Sequence, residues 1–81
     1  MAKLITGIDM TVSTDNIVKI AQAGGSVVVN TSITTDNIVR IALAIKKAGV
    51  GHLTISGNPK STDNMVRIAK AAPGQITFDL A

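Results

Sequence analysis

The feature that most constrains this chain is an eleven-residue segment that occurs three times. The copies are TDNIVKIAQAG from Thr14 to Gly24, TDNIVRIALAI from Thr35 to Ile45, and TDNMVRIAKAA from Thr62 to Ala72. They begin 21 residues apart (Thr14 to Thr35) and then 27 residues apart (Thr35 to Thr62), which is the period of a solenoid repeat. The pattern therefore predicts one small structural unit used three times.

Each copy carries the signals of a short helix and of its start. A hydroxyl side chain at the first position can accept a hydrogen bond from a first-turn N–H that has no helical partner. We therefore predict helix caps at Thr14, Thr35 and Thr62. Apolar residues then recur at helical spacing and form one inward stripe. The predicted helices cover residues 14–24, 35–48 and 62–72.

Charged residues in each copy also have a helical spacing. An aspartate follows each predicted cap, where its charge is favourable at the positive end of the helix dipole. A basic residue stands four positions later, as Lys19, Arg40 and Arg67. Acid and base in this order stabilise an isolated helix, so the sequence predicts one ion pair inside each helix.

Strand patterns precede each helix and follow the last one. The candidates are Leu4–Met10, Ser26–Asn30, His52–Ser56 and Gln75–Leu80. Polar and apolar residues alternate most clearly in the last two, as expected for strands with one buried face. The chain is therefore predicted to alternate strictly between strands and helices.

Short connections decide how these elements are arranged. Each helix must return the chain to a neighbouring parallel strand, and such crossovers are right-handed. The fold class is thus predicted as α/β: a short right-handed βα solenoid, with four parallel strands in the order 1-2-3-4 and three helices on one face. Residues 1–81 form a single domain, with repeats at approximately 3–25, 26–50 and 51–74 and a closing strand at 75–80. A doubly wound sheet is the second choice, because it needs apolar strands on both faces.

The third repeat resembles a known family. Val50-Gly-His-Leu53-Thr-Ile55-Ser-Gly-Asn58 is similar to the leucine-rich-repeat pattern LxxLxLxxN. With the following TDNMVRIAKAA, the resemblance over residues 50–72 is closest to the ribonuclease-inhibitor-like class. The resemblance implies a parallel sheet on a concave face, and protein binding as the common use.

The residue inventory argues against enzymatic chemistry. The chain has no cysteine and a single histidine, His52, so a zinc site of usual composition is not expected. No nucleophile motif surrounds Ser56 or Ser61. We predict no catalytic residues, no metal and no cofactor. An aspartate at each helix start also disfavours an anion site there.

The net charge of +3 raises nucleic acid as an alternative partner. Phosphate contacts could come from Lys46, Lys47, Lys60 and Lys70. However, the chain has no Trp or Tyr for stacking on single strands, and only one Phe. Nucleic-acid binding by a small basic accessory protein is therefore the second hypothesis, behind protein interaction.

The ends of the predicted sheet favour self-association. Solenoids need polar capping repeats, and both predicted edge strands are apolar instead. Candidate contact residues are Ile76, Phe78 and Leu80 in the last strand, and Leu43 on a helix surface. A closed dimer through the last strand is the expected contact, because it covers one edge without unlimited growth; a head-to-tail contact of the last strand with the first strand of the next chain is the alternative. We predict a non-enzymatic, self-associating repeat module for protein–protein interaction, with a homodimer or higher oligomer as its main state.

Two further expectations concern location. Asp9 interrupts the apolar core that a signal peptide needs, and no apolar run approaches the length of a membrane span. Neither secretion nor a membrane partner is therefore expected. Cysteine is absent, so no disulfides are possible, and the cytoplasm is the default compartment.

Overall fold

The computed structural model describes residues 13–80, which form three helices alternating with three strands. The helices are α1 (Thr14–Gln22), α2 (Thr35–Ala48) and α3 (Thr62–Ala71); the strands are β1 (Val27–Asn30), β2 (Leu53–Gly57) and β3 (Ile76–Leu80). All three strands are parallel and lie in the order β1-β2-β3. The predicted α/β class, the helices and the last three strands are confirmed. The predicted first strand, Leu4–Met10, lies outside the described residues.

The helix caps lie one residue earlier than predicted. The side chains of Ser13, Thr34 and Ser61 accept hydrogen bonds from the backbone N–H three residues on, at 3.2, 3.4 and 3.2 Å. Each of these residues has extended dihedrals, as an N-cap requires. The assignment of the caps to Thr14, Thr35 and Thr62 is therefore wrong, and these threonines are the first helical residues. A cap one residue earlier adds a helical residue and a backbone bond, such as Ile17 N–H to the Ser13 carbonyl at 3.0 Å.

Glycines end the first two helices through local hydrogen bonds. In α1, Gly24 and Gly25 donate to the carbonyls of Ala21 and Ile20, both at 3.0 Å. This pair of bonds is the Schellman arrangement, so α1 ends at Gln22, before the predicted residue 24. In α2, Gly49 takes the left-handed conformation with φ of 77°. The stop signals in the sequence thus act through backbone geometry that glycine adopts without strain.

A single apolar core joins all three helices to one face of the sheet. On the strands, Val29, Leu53 and Ile55 are buried, and they alternate with residues that point away. From the helices and from Ala72, directly after α3, the same cluster receives further residues: Ile17, Ala21, Ile38, Ile41, Ala42, Ala44, Ile45, Ile68 and Ala72. Because one sheet face carries the whole core, the helices form a single layer on that face, and a doubly wound arrangement is excluded for the described residues.

The turns before successive strands pack directly against one another. The Ser26 hydroxyl accepts from His52 N–H at 3.0 Å, and Gln75 Nε2 donates to the Gly51 carbonyl at 3.2 Å. A Cβ added at Gly51 would lie 2.8 Å from the carbonyl oxygen of Gly25, and φ at Gly51 is already 91°. Only glycine permits this approach. Neighbouring repeats are therefore joined at their turns as well as in their core.

The cap positions lead to a test that separates two adjacent threonines. We expect Thr34→Ala to lower the free energy of unfolding by about 1 kcal/mol, because an N–H of the first turn of α2 loses its acceptor. Thr35→Ala is the matched control, and it should change stability much less because Thr35 is already helical. Urea denaturation midpoints of both variants measure the difference. A larger loss for Thr35→Ala would contradict the observed cap.

Candidate functional site

The sheet face opposite the core is open and mostly polar. It carries Val28 and Asn30 from β1, Thr54 and Ser56 from β2, and Thr77 and Asp79 from β3. The parallel register aligns these residues in two rows across the sheet: Val28, Thr54 and Thr77 form one, and Asn30, Ser56 and Asp79 form the other. Thr54, Ser56, Thr77 and Asp79 thus lie on the face away from the core, as the alternation of polar and apolar residues in the last two strands predicts.

Two contacts between strands organise this face. His52 Nε2 lies 2.6 Å from Thr77 Oγ1, and the Ser56 hydroxyl donates to Asp79 Oδ2 at 3.5 Å. His52 and Ser56 are four residues apart along one extended strand, a separation of roughly 13 Å. The imidazole is thus too far from the hydroxyl to act as its base. Among residues 13–80, no cluster of three His, Asp or Glu side chains could hold a metal ion.

The ion pairs connect neighbouring helices. Arg40 Nη2 in α2 lies 2.7 Å from Asp15 Oδ1 in α1, and Arg67 Nη2 in α3 lies 2.6 Å from Asp36 Oδ1 in α2. The described part of the chain contains no other ion pair. The predicted pairs inside each helix, from Asp15, Asp36 and Asp63 to the base four residues on, are therefore wrong. A neighbouring helix presents its carboxylate to each arginine at shorter range.

One of these carboxylates has a shifted pKa. The Arg40 guanidinium hydrogen-bonds Asp15 and holds its pKa below the ordinary value of 3.8, first through that bond and then through the charge itself. The positive charge of Lys19 acts in the same direction with a smaller effect. Both side chains of this pair are exposed to solvent, so the pair orients the helices and adds little stability.

The predicted contact residues fall on two separate surfaces. Ile76 and Phe78 are half-buried against the core, and Leu80 is 48% exposed. These three lie along β3, at the end of the sheet. Leu43 is 51% exposed on the solvent side of α2, in the middle of the helix layer. The structure thus brings the β3 residues together and leaves Leu43 apart from them.

The backbone of β3 has hydrogen-bonding groups on its outer edge, which is the side of β3 away from β2. Leu53 N–H donates to the Gln75 carbonyl at 2.9 Å. The alternation of a parallel ladder then directs the N–H of Thr77 toward β2, and those of Ile76, Phe78 and Leu80 outward. Within residues 13–80, no strand pairs with these outward groups.

Most basic residues in the part of the chain that the structure describes have a local role in the helices. Arg40 and Arg67 are engaged by carboxylates, and Lys46 and Lys47 lie in the last turn of α2, where the helix dipole favours cations. Lys70 occupies the same place in α3. Most of the positive charge is thus explained by helix stabilisation. Ile20 and Val66 are exposed apolar residues at the two ends of the helix layer. Helical spacing predicts Ile20 on the inward stripe, and that prediction is wrong, because no described helix covers this side of α1.

Comparison with known proteins adds no relative, since no family model, curated protein or solved structure matches this chain. Among the described residues, no helix combines the length and apolar character needed to cross a bilayer. The outer edge of β3, with its half-buried apolar side chains, is the strongest candidate site in the described residues.

The depressed pKa of Asp15 leads to a pH prediction. A carboxyl whose pKa is lower in the folded state stabilises above its unfolded pKa, and this contribution is lost as the pH falls through the folded pKa. Asp15→Asn should therefore be less stable than the parent chain at neutral pH, and the difference should disappear as the pH falls through the pKa of the folded-state carboxyl. Urea midpoints across this range, on dilute protein, measure it.

Asp63→Asn is the matched control for that experiment. Asp63 occupies the same helix position as Asp15 and has no ion pair with any residue that the structure describes. Its replacement reports the helix-dipole effect alone, so the pH-dependent loss should be larger for Asp15→Asn. Equal losses in the two variants would show that Arg40 does not stabilise the fold through Asp15.

Proposed function

We propose that this protein is a non-enzymatic repeat module that associates with itself through the end of its sheet, and so mediates protein–protein interaction. The observation that carries the proposal is the outer edge of β3. It combines outward backbone groups with three apolar residues, Ile76, Phe78 and Leu80, that one helix layer covers incompletely. An edge of this kind pairs readily with another chain.

The wider architecture supports this proposal. Three parallel strands in sequence order, with one layer of helices, support the proposal of a short βα solenoid. We propose that residues 4–10 supply its first strand, as the sequence pattern indicates. A solenoid stabilises each repeat through its neighbours, and its last repeat needs a cover. Among the described residues, β3 has no covering segment beyond it.

The leucine-rich-repeat likeness is part of the same proposal. Leu53 and Ile55 are fully buried, as the two central leucines of the LxxLxLxxN pattern require. Val50 and Asn58, at the two ends of the pattern, are exposed in this chain. The likeness thus extends to the strand and its following helix. It supports protein binding through an open sheet or its edge.

The test of self-association uses Leu80, the last residue of β3. Leu80→Pro removes an N–H that the ladder directs outward, while the side chain it replaces is only half-covered. We expect the parent chain to form oligomers at micromolar concentration, and Leu80→Pro to associate about tenfold more weakly. Sedimentation velocity over a concentration series measures both.

Leu43→Lys is the control for a helix-mediated contact. It changes an exposed residue of α2 that lies away from β3, so association should be unaltered. A parent chain that stays monomeric would refute the proposed function. Oligomers that are lost only with Leu43→Lys would move the contact from the sheet edge to the helix surface. Salt-dependent retention of monomer on nucleic acid would instead favour the accessory-protein alternative.

A further inference from the structure

Equivalent isoleucines of the three repeats differ in burial according to their place in the helix layer. Ile20 in α1, Ile41 in α2 and Ile68 in α3 occupy the same position in TDN(I/M)V(K/R)IA. Ile41 and Ile68 are fully buried, whereas Ile20 is 47% exposed. The first helix differs from the other two because no described helix precedes it. This position therefore faces the preceding helix.

A second set of equivalent residues shows the opposite trend. Val18 and Val39 are half-buried, but Val66 in α3 is 46% exposed. Ala21 and Ala42 are fully buried, whereas Ala69 is only partly covered. The last helix is the exception here, because no described helix follows it. These positions therefore face the following helix.

The ion pairs have the same direction as this packing. Each arginine reaches back to the preceding helix, from Arg40 to Asp15 and from Arg67 to Asp36. A further helix packed before α1 or after α3 could pair with the charged residues that remain at the two ends of the helix layer. Lys19 stands at the arginine position of α1, and Asp63 at the aspartate position of α3. Neither forms an ion pair with residues 13–80.

We propose that α1 of one copy packs on α3 of another, so that the helix layer continues from chain to chain. This inference rests on the proposed self-association through the β3 end of the sheet and adds a helix contact at that same end. Ile20 of the second copy would pack against Val66 and Ala69 of the first. This contact would repeat the packing of Ile41 beside α1 and of Ile68 beside α2. Lys19 would meet Asp63 as Arg40 meets Asp15. The two exposed ends thus both present apolar side chains, and they carry opposite charges.

The proposed contact joins two different surfaces of the chain. Such a contact leaves two unmatched ends on every open oligomer, one of each kind, so association continues beyond the dimer unless a ring closes. A contact of β3 with β3 of a partner would instead use one surface twice and stop at two copies. The two geometries therefore predict different responses when each end is blocked separately.

The experiment blocks each end with one lysine. Ile20→Lys removes the end formed by α1, and Val66→Lys removes the end formed by α3; both side chains are exposed, so folding should be preserved. Each variant alone should be monomeric at concentrations roughly ten times those at which the parent chain associates. An equimolar mixture should form dimers and no larger species, since each variant retains the end that the other lacks.

Val28→Lys is the matched control, because it adds the same charge to an exposed apolar position on the open sheet face. It should sediment like the parent chain. A charge exchange gives independent evidence: Lys19→Asp and Asp63→Lys should each weaken association, and the variant carrying both should recover it. Circular dichroism and thermal midpoints confirm that each variant is folded.

The outcomes separate this inference from the proposed function. A parent chain that is monomeric throughout would overturn both. Association that survives in Ile20→Lys and Val66→Lys would overturn the head-to-tail contact while self-association stands. Association lost in both variants and not restored on mixing would also overturn it, because two different ends must complement each other. Dimers formed only in the mixture would establish it.

Discussion

The structure depends on apolar burial shared between neighbouring repeats. A single helix of this kind cannot cover its own stripe, and most of its stability comes from packing on other elements. The middle helix shows the effect most clearly: α2 buries five residues, whereas α1 buries two and α3 one. The centre of the core is accordingly built on Ile38, Ile41 and Ile45, with neighbours on both sides. At the two ends of the layer, α1 and α3 each have a neighbouring described helix on one side only.

Polar contacts follow this packing and add direction to it. The turns are joined by the Ser26 and Gln75 side chains, and the helices by arginine–aspartate pairs that run from each helix to the one before. Exposed pairs of this kind contribute little stability. They do favour one alignment of adjacent helices over others, because a carboxylate and a guanidinium must meet at a set position. Packing and charge therefore specify the same stacking direction.

Several features of the fold and of the candidate surface could be predicted from local pattern. Helix positions follow from the apolar stripe and the glycine stops, and the parallel order of strands follows from short connections. Ile76, Phe78 and Leu80 were identified because alternation and chain order place them on a terminal strand. The cap residue was missed, since two adjacent hydroxyl residues, such as Thr34 and Thr35, satisfy the same local preference. Only backbone conformation distinguishes them.

By itself, the sequence determined the three helices, the strand pattern at 26–30, 52–56 and 75–80, and the α/β class, because these depend on the spacing of neighbouring residues. The tertiary structure alone decided which carboxylate each arginine meets, and which of the repeated apolar residues are exposed. Ile20, Ile41 and Ile68 are the same residue in the same local pattern, yet only Ile20 is exposed. Local spacing is identical for all three, whereas burial depends on whether another helix lies alongside.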